Sequence, residues 1–241
     1  MKPDRILPLD TIENCRLWLV DLDLPLSPGE LGFLSPDEHA RARRFAFARD
    51  RERFLAGRAA LRRLLSQCTG RPSPSLALAY GPFGKPWLPA PRAPAFNMSH
   101  SHGLGLVAIR TECVTGESIG VDIEVLRPMS DAAELAGANF EPDESDELRT
   151  LPEPARSRAF LLGWTRKEAC LKALGSGFSG PSRVATGLNA QARTVAWAAH
   201  RAALHSVDLP QFGAVAALAR LLPPAQASTS HRRDAALTPG P

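Results

Sequence analysis

Apolar residues in this chain fall into short dense runs separated by longer stretches of helical spacing. Leu17 to Val20, Gly103 to Ile109 and Ile119 to Val125 are rich in β-branched and apolar residues and predict strands. Arg51 to Ser66 places Phe54, Leu61, Leu64 and Leu65 on one helical stripe. Ala155 to Leu174 predicts a second long helix, with Phe160, Trp164 and Leu171 as apolar surface and Gly175 as its stop. Proline-rich segments at 70–75, 81–94 and 149–154 predict connections. From Pro223 onward the chain is Pro, Ala, Ser and Thr with two arginines, which predicts a disordered tail over 223–241.

The pattern repeats. Val20-Asp21-Leu22-Asp23 is echoed by Val121-Asp122-Ile123-Glu124, and Pro36-Asp37-Glu38 by Pro142-Asp143-Glu144. Phe54-Leu55-x-Gly57 is echoed by Phe160-Leu161-x-Gly163, and Gly105-Leu106-Val107-Ala108 by Gly213-Ala214-Val215-Ala216. Four echoes in the same order at nearly constant spacing predict two similar halves. We expect one half over 1–114 and a second over 115–222.

Composition sharpens this picture. Of 241 residues, 44% are hydrophobic, enough for a core. No apolar run approaches the roughly 18 residues of a membrane span, and the start, MKPDRILPLD, has no signal-peptide apolar segment. The expectation is a soluble, cytoplasmic protein. Cys15, Cys68, Cys113 and Cys170 form no CxxC pair, so we read them as free thiols. The net charge of +4 suits an anionic partner.

Candidate chemistry centres on Ile119-Gly-Val-Asp-Ile-Glu-Val125. Strand alternation puts Asp122 and Glu124 on one face, opposite Ile119, Val121, Ile123 and Val125. Mg²⁺ accepts one or two carboxylates plus phosphate oxygens. The bland alternative is two acids on a solvated strand face. On the second long helix, Trp164, Glu168 and Lys172 are four apart and share a face. Glu168 could complete a metal shell or accept a proton, and Lys172 could hold a phosphate; the alternative is an i,i+4 surface salt bridge. Asp21 and Asp23 repeat the strand acids in the first half. There, after a four-residue register adjustment, Arg58 and Arg62 stand where Glu168 and Lys172 would be. Fixed cations disfavour a metal, so the metal is expected in the second half and cations for an anionic ligand in the first.

Residues 41 to 63 hold nine arginines: Arg41, Arg43, Arg44, Arg49, Arg51, Arg53, Arg58, Arg62 and Arg63. Some must be solvated surface. The region lacks interleaved aromatics, which weakens a nucleic-acid reading. Gly84-Lys85-Pro86 puts a lysine in a rigid turn without the Walker pattern. In Phe96-Asn-Met-Ser-His-Ser-His102, Asn97, Ser99 and His100 offer hydrogen bonds just before a strand. His100 and His102 have no third partner spaced for zinc. Gly175-Ser-Gly177-Phe-Ser-Gly180 reads as a helix stop and loop.

In order along the chain, SPDEHARARRF (35–45), Gly84-Lys85-Pro86, Phe96-Asn-Met-Ser-His100, Gly120-Val-Asp-Ile-Glu124 and Trp164-Thr-Arg-Lys-Glu-Ala-Cys-Leu-Lys172, followed by Gly175-Ser-Gly177, resemble the Sfp-type 4'-phosphopantetheinyl transferases. The resemblance covers about residues 15 to 220. It implies an α/β (α+β) pseudo-dimer of two similar halves, each a small sheet against a long helix, with the active site in the cleft between them. It implies Mg²⁺-dependent transfer of the phosphopantetheine arm of coenzyme A to a serine of an apo acyl, peptidyl or aryl carrier protein, releasing adenosine 3',5'-bisphosphate. It implies Asp122, Glu124 and Glu168 as metal ligands, Glu168 also as general base, and Lys172 as the residue that stabilises phosphate charge. Arg41, Lys85, Ser99 and His100 are implied coenzyme A contacts, with Arg53 a weaker one. A monomer acting without nucleic acid or membrane is expected. The alternatives are a Mg²⁺-dependent nuclease or phosphodiesterase and a non-catalytic nucleic-acid-binding module. Neither accounts for the lysine turn and the 96–100 stretch in one chain. The carrier, the pathway and acyl-coenzyme A tolerance are not legible in these residues.

Overall fold

A computed structural model describes residues 4–112, 117–175 and 184–223. The expected tail, Cys113, the half boundary near 114 and the glycines at 177 and 180 lie outside the described residues.

The first sheet contains β1 (Ile6–Pro8), β2 (Arg16–Asp21), β5 (Ala95–Ser101) and β6 (Leu104–Arg110) in the order β1-β2-β6-β5, all antiparallel. Between β2 and β5 the chain forms helices α1 (Pro28–Leu31), α2 (Pro36–Ala42) and α3 (Ala48–Thr69), then a hairpin of β3 (Ala79–Tyr80) and β4 (Pro86–Trp87). The second sheet contains β7 (Ile119–Val125), β8 (Arg193–Trp197), β9 (His200–Leu209) and β10 (Ala214–Leu221) in the order β7-β10-β9-β8. Helices α4 (Ala132–Asn139), α5 (Pro142–Thr150) and α6 (Ala155–Leu174) connect β7 to β8. The order β2-β6-β5 is repeated as β7-β10-β9, a repetition in keeping with the two similar halves that the sequence echoes predict.

The two sheets pack face to face. Leu17 and Leu19 of β2 and Leu106 and Ala108 of β6 meet Val121 and Ile123 of β7 and Ala216 and Leu218 of β10. The opposite face of the first sheet carries Trp18, Val20, Val107 and Ile109, which pack with Ala60, Leu61, Leu64 and Leu65 of α3. On the other side, Ala217 and Ala219 of β10 pack with Ala169, Cys170 and Ala173 of α6. The layers run helix, sheet, sheet, helix. Central strands are buried on both faces, which explains their nearly unbroken apolar runs.

Helix α3 extends past the expected 51–66 at both ends and stops at Gly70, with φ +68. Helix α6 spans the expected residues and ends at Gly175, with φ +75. Gly103 lies in the turn before β6 rather than in the strand. The 81–94 connection includes the β3–β4 hairpin. Gly120 permits a close approach: a Cβ there would stand 2.1 Å from the Ala169 carbonyl oxygen and 2.2 Å from the Ala173 nitrogen. The α6 backbone thus lies directly against β7.

Candidate active site

The edge strands β5 and β7 lie side by side, and side chains stitch them together. Strand alternation turns Asn97, Ser99 and Ser101 to the same side of β5. Asn97 Oδ1 accepts from the Val121 N–H at 2.8 Å. Ser99 Oγ donates to Asp122 Oδ1 at 2.7 Å. Ser101 Oγ donates to Glu124 Oε2 at 2.7 Å and accepts from the Val125 N–H at 3.2 Å. The first half thereby fixes the acidic strand of the second.

From α6, Lys172 reaches into this seam. Its Nζ lies 2.5 Å from Asp122 Oδ1 and 2.8 Å from Ser99 Oγ. The lysine therefore pairs with Asp122 across elements rather than with Glu168 along its helix. Asp122 is buried, not on a solvated face. Burial pushes its carboxyl above the ordinary range, against the opposing pull of Lys172 and the Ser99 hydrogen bond. Burial likewise raises Glu168, and Lys172 only partly offsets that.

Asp122 Oδ2 and Glu168 Oε1 are both buried and, among the described residues, receive no hydrogen bond. Unpaired buried carboxylate oxygens are costly, and a hard divalent cation supplies what they lack. The pair fits Mg²⁺ with phosphate oxygens as further ligands. Glu124 is turned to Ser101 and to Arg127, whose Nη1 is 3.2 Å from Oε2. Among the described residues, no set of three or more His, Cys, Asp or Glu side chains is gathered tightly enough to hold a metal by itself.

Two neighbouring cavities meet at the β3–β4 hairpin. The larger, about 650 Å³, is lined by residues including Arg41, Arg53, Phe54, Arg58, Met98 and His100. The smaller, about 300 Å³, includes Phe83, Lys85, Glu168 and Lys172. Gly84, Pro86 and Met98 line both. His100 lines the larger cavity yet is exposed, and its pKa is lowered by partial desolvation and then by Lys172.

The arginines of the first half divide by partner. Arg58 and Arg62 clasp Glu38 at 2.6 and 2.5 Å, and Arg62 is buried, also holding the Ser73 and Leu76 carbonyls. Glu38 doubles as the capping-box acid of α2, closing on Ser35. Burial alone would raise its pKa, but Arg58, the Ser35 backbone and Arg62 together hold it below the usual range. One carboxylate offsets only one of these two guanidinium charges, and Arg58 also lines the larger cavity, so positive charge remains on this side of it. Arg53 makes a two-pronged pair with Asp23 at 2.6 and 2.9 Å. Asp21 Oδ1 accepts from the Asp23 and Leu24 N–H groups. The first-half acids are thus spent on structure. Arg41 differs: its guanidinium lies over the Phe54 ring, 5.2 Å from the centroid, facing the larger cavity with no carboxylate partner among the described residues.

Lys85 is placed differently from the other expected coenzyme A contacts. Its Nζ donates to Ser118 Oγ, the Ile119 carbonyl and the Ala173 carbonyl at 2.7, 2.9 and 3.1 Å. Desolvation lowers its pKa to about 8. Sequence reasoning missed Ser101, Ser118 and Arg166. The alternation Asn97, Ser99, Ser101 could have signalled the first. Arg166, wholly buried, donates to the Thr186 and Gln191 carbonyls and to Ser206 Oγ, tying α6 to the chain that follows it.

Comparison with known proteins agrees with this arrangement. Residues 118–214 match the 4'-phosphopantetheinyl transferase superfamily, and residues 29–113 match the N-terminal family of 4'-phosphopantetheinyl transferases. A Synechocystis protein carrying the 4'-phosphopantetheinyl transferase name is 41% identical over 167 residues, 68% of this chain and 66% of the relative. HetI, a 4'-phosphopantetheinyl transferase of Nostoc, is 40% identical over 69% of this chain and 71% of its own length. Sfp of Bacillus subtilis is 28% identical over 69% of this chain and 73% of its own. With both halves matched, the sheet order repeated and the acid–lysine seam in place, this chain belongs to the 4'-phosphopantetheinyl transferase superfamily and is of the Sfp type.

Proposed function

We propose that this protein transfers the 4'-phosphopantetheine arm of coenzyme A to a serine hydroxyl of an apo carrier protein in a Mg²⁺-dependent reaction. The observation that carries this reading is the junction of the two cavities. A basic chamber with an uncommitted Arg41 opens beside a second one holding Glu168 and Lys172, next to two buried carboxylate oxygens without donors among the described residues.

In this reading the phosphates of the adenosine side lie toward Arg41 and His100, with Arg53 weaker because Asp23 already neutralises it. Ser99 and Lys172 adjoin the pyrophosphate. The incoming serine oxygen bonds to the β-phosphorus, the bond from that phosphorus to the bridging oxygen breaks, and adenosine 3',5'-bisphosphate departs. Glu168 takes the serine proton, its carboxyl lining the smaller cavity beside Lys172. Lys172, held ready by Ser99 and Asp122, stabilises negative charge on the phosphoryl oxygens. Asp122 and Glu168 would hold Mg²⁺, which when bound neutralises pyrophosphate charge. Glu124 is the third candidate ligand.

The test is an intact-mass assay with coenzyme A, Mg²⁺ and apo acyl, peptidyl and aryl carriers, with an EDTA control. A carrier mass increase of one phosphopantetheine, abolished by EDTA, is expected. No increase on any carrier, from folded protein that also fails to bind coenzyme A, overturns the reading.

A further inference from the structure

We propose that Lys85 is a positioning residue that locks the β3–β4 hairpin onto the start of β7 and the end of α6, rather than a contact to coenzyme A. The proposal rests on reading α6 as the helix that carries Glu168 and Lys172 to the substrate. An ammonium group has three protons. All three of Lys85 are donated within the protein, to Ser118 Oγ, the Ile119 carbonyl and the Ala173 carbonyl. Ser118 Oγ also donates to the Ala173 carbonyl at 2.6 Å, closing a small polar triangle.

The acceptors are informative. Ala173 belongs to the last turn of α6, where carbonyls lack helical partners and a cation is favoured by the helix dipole. It is the neighbour of Lys172. Ile119 begins the strand that carries Asp122. The aliphatic stem passes beneath the stop of α6, where a Cβ on Gly175 would stand 3.5 Å from Lys85 Cδ. No carboxylate among the described residues balances the charge, and desolvation lowers the pKa to about 8. An apolar side chain would avoid that desolvation. What the ammonium adds is a three-point tether, and its neighbours Gly84 and Pro86 wall both cavities. The tether therefore sets the hairpin wall against the helix bearing the proton acceptor.

Lys85→Met and Ser118→Ala test this, since Ser118 lines neither cavity. For Lys85→Met we expect kcat to fall at least tenfold. The coenzyme A dissociation constant, read by calorimetry, should change less than threefold and keep its salt dependence. Ser118→Ala should lower kcat in the same direction, and the double variant should fall no further than Lys85→Met alone. Hydrogen exchange should quicken in both the 79–87 and 169–175 segments in each variant. A tenfold loss of coenzyme A affinity with a shallower salt dependence in Lys85→Met, and a silent Ser118→Ala, would make Lys85 a phosphate contact and overturn the proposal. Additive effects of the two variants would overturn it as well. The exchange and calorimetric readouts stand even if no carrier is modified, so failure of the transferase reading is separable from failure of this one.

Discussion

Glu168 has a buried carboxyl oxygen with no donor among the described residues, and burial raises its pKa. Glu168→Gln keeps the shape and removes the proposed proton acceptor, so the transfer rate in the intact-mass assay should fall about 10²–10⁴-fold with circular dichroism unchanged. Asp21→Ala, in the repeated first-half position, should leave the rate within about twofold, because among the described residues the Asp21 carboxylate serves only the backbone N–H groups of Asp23 and Leu24. Arg41 and Arg53 make a second contrast. Arg41→Ala removes an uncommitted cation and should weaken coenzyme A binding about tenfold or more, the scale of a charge-assisted hydrogen bond. Arg53→Ala should cost less, since Asp23 already holds that guanidinium. Calorimetry at two salt concentrations checks both.

Single positions also decide how elements meet. Gly120→Ala would drive a methyl into the α6 backbone, where no flexible side chain can yield. Helix and strand must separate, so a loss of about 3 kcal/mol or more in urea unfolding is expected, together with loss of transfer as Lys172 leaves Asp122. In the first half, α2 is bound to α3 through one carboxylate. Glu38→Ala strands Arg58 and the buried Arg62 without a counter-charge and opens the α2 cap. A destabilisation of about 3–5 kcal/mol is expected from the charges alone, again read by urea unfolding.

For the whole molecule, Lys85 at the seam between the halves contributes an alkaline arm to the pH dependence of stability. Lys85 has a folded pKa of about 8 against an ordinary value of 10.5. Between these values the unfolded chain retains the proton and the folded chain has released it. The unfolded state then binds more protons, and stability rises with pH across that window. Below about pH 8 the cost of burying the ammonium is fully present. Lys85→Met should lack this rise, so wild type should gain on the variant in thermal melts taken at pH 7.5, 9 and 10. No helix among the described residues is long and apolar enough to cross a membrane.

Much of this was legible in the residues themselves. Periodicity alone placed α6 and β7, and the echoes anticipated two similar halves, though not their strand order. The ordered motifs pointed to the family and to Asp122, Glu168 and Lys172, because strand and helix spacing dictate which side chains share a face. Partner choice was not legible. Nine arginines within 41 to 63 look alike in sequence, yet Glu38 and Asp23 claim three of them and Phe54 stacks on another. Glu168 and Lys172 are spaced to pair, but Asp122 takes the lysine from another strand. Lys85 sits in a turn that suggests a phosphate contact, while three acceptors far along the chain take all its protons. Local sequence determines backbone periodicity and the supply of charges. Which charge is neutralised, buried or left facing a cavity is set by neighbours distant in sequence, and only the packing of the two halves brings those together.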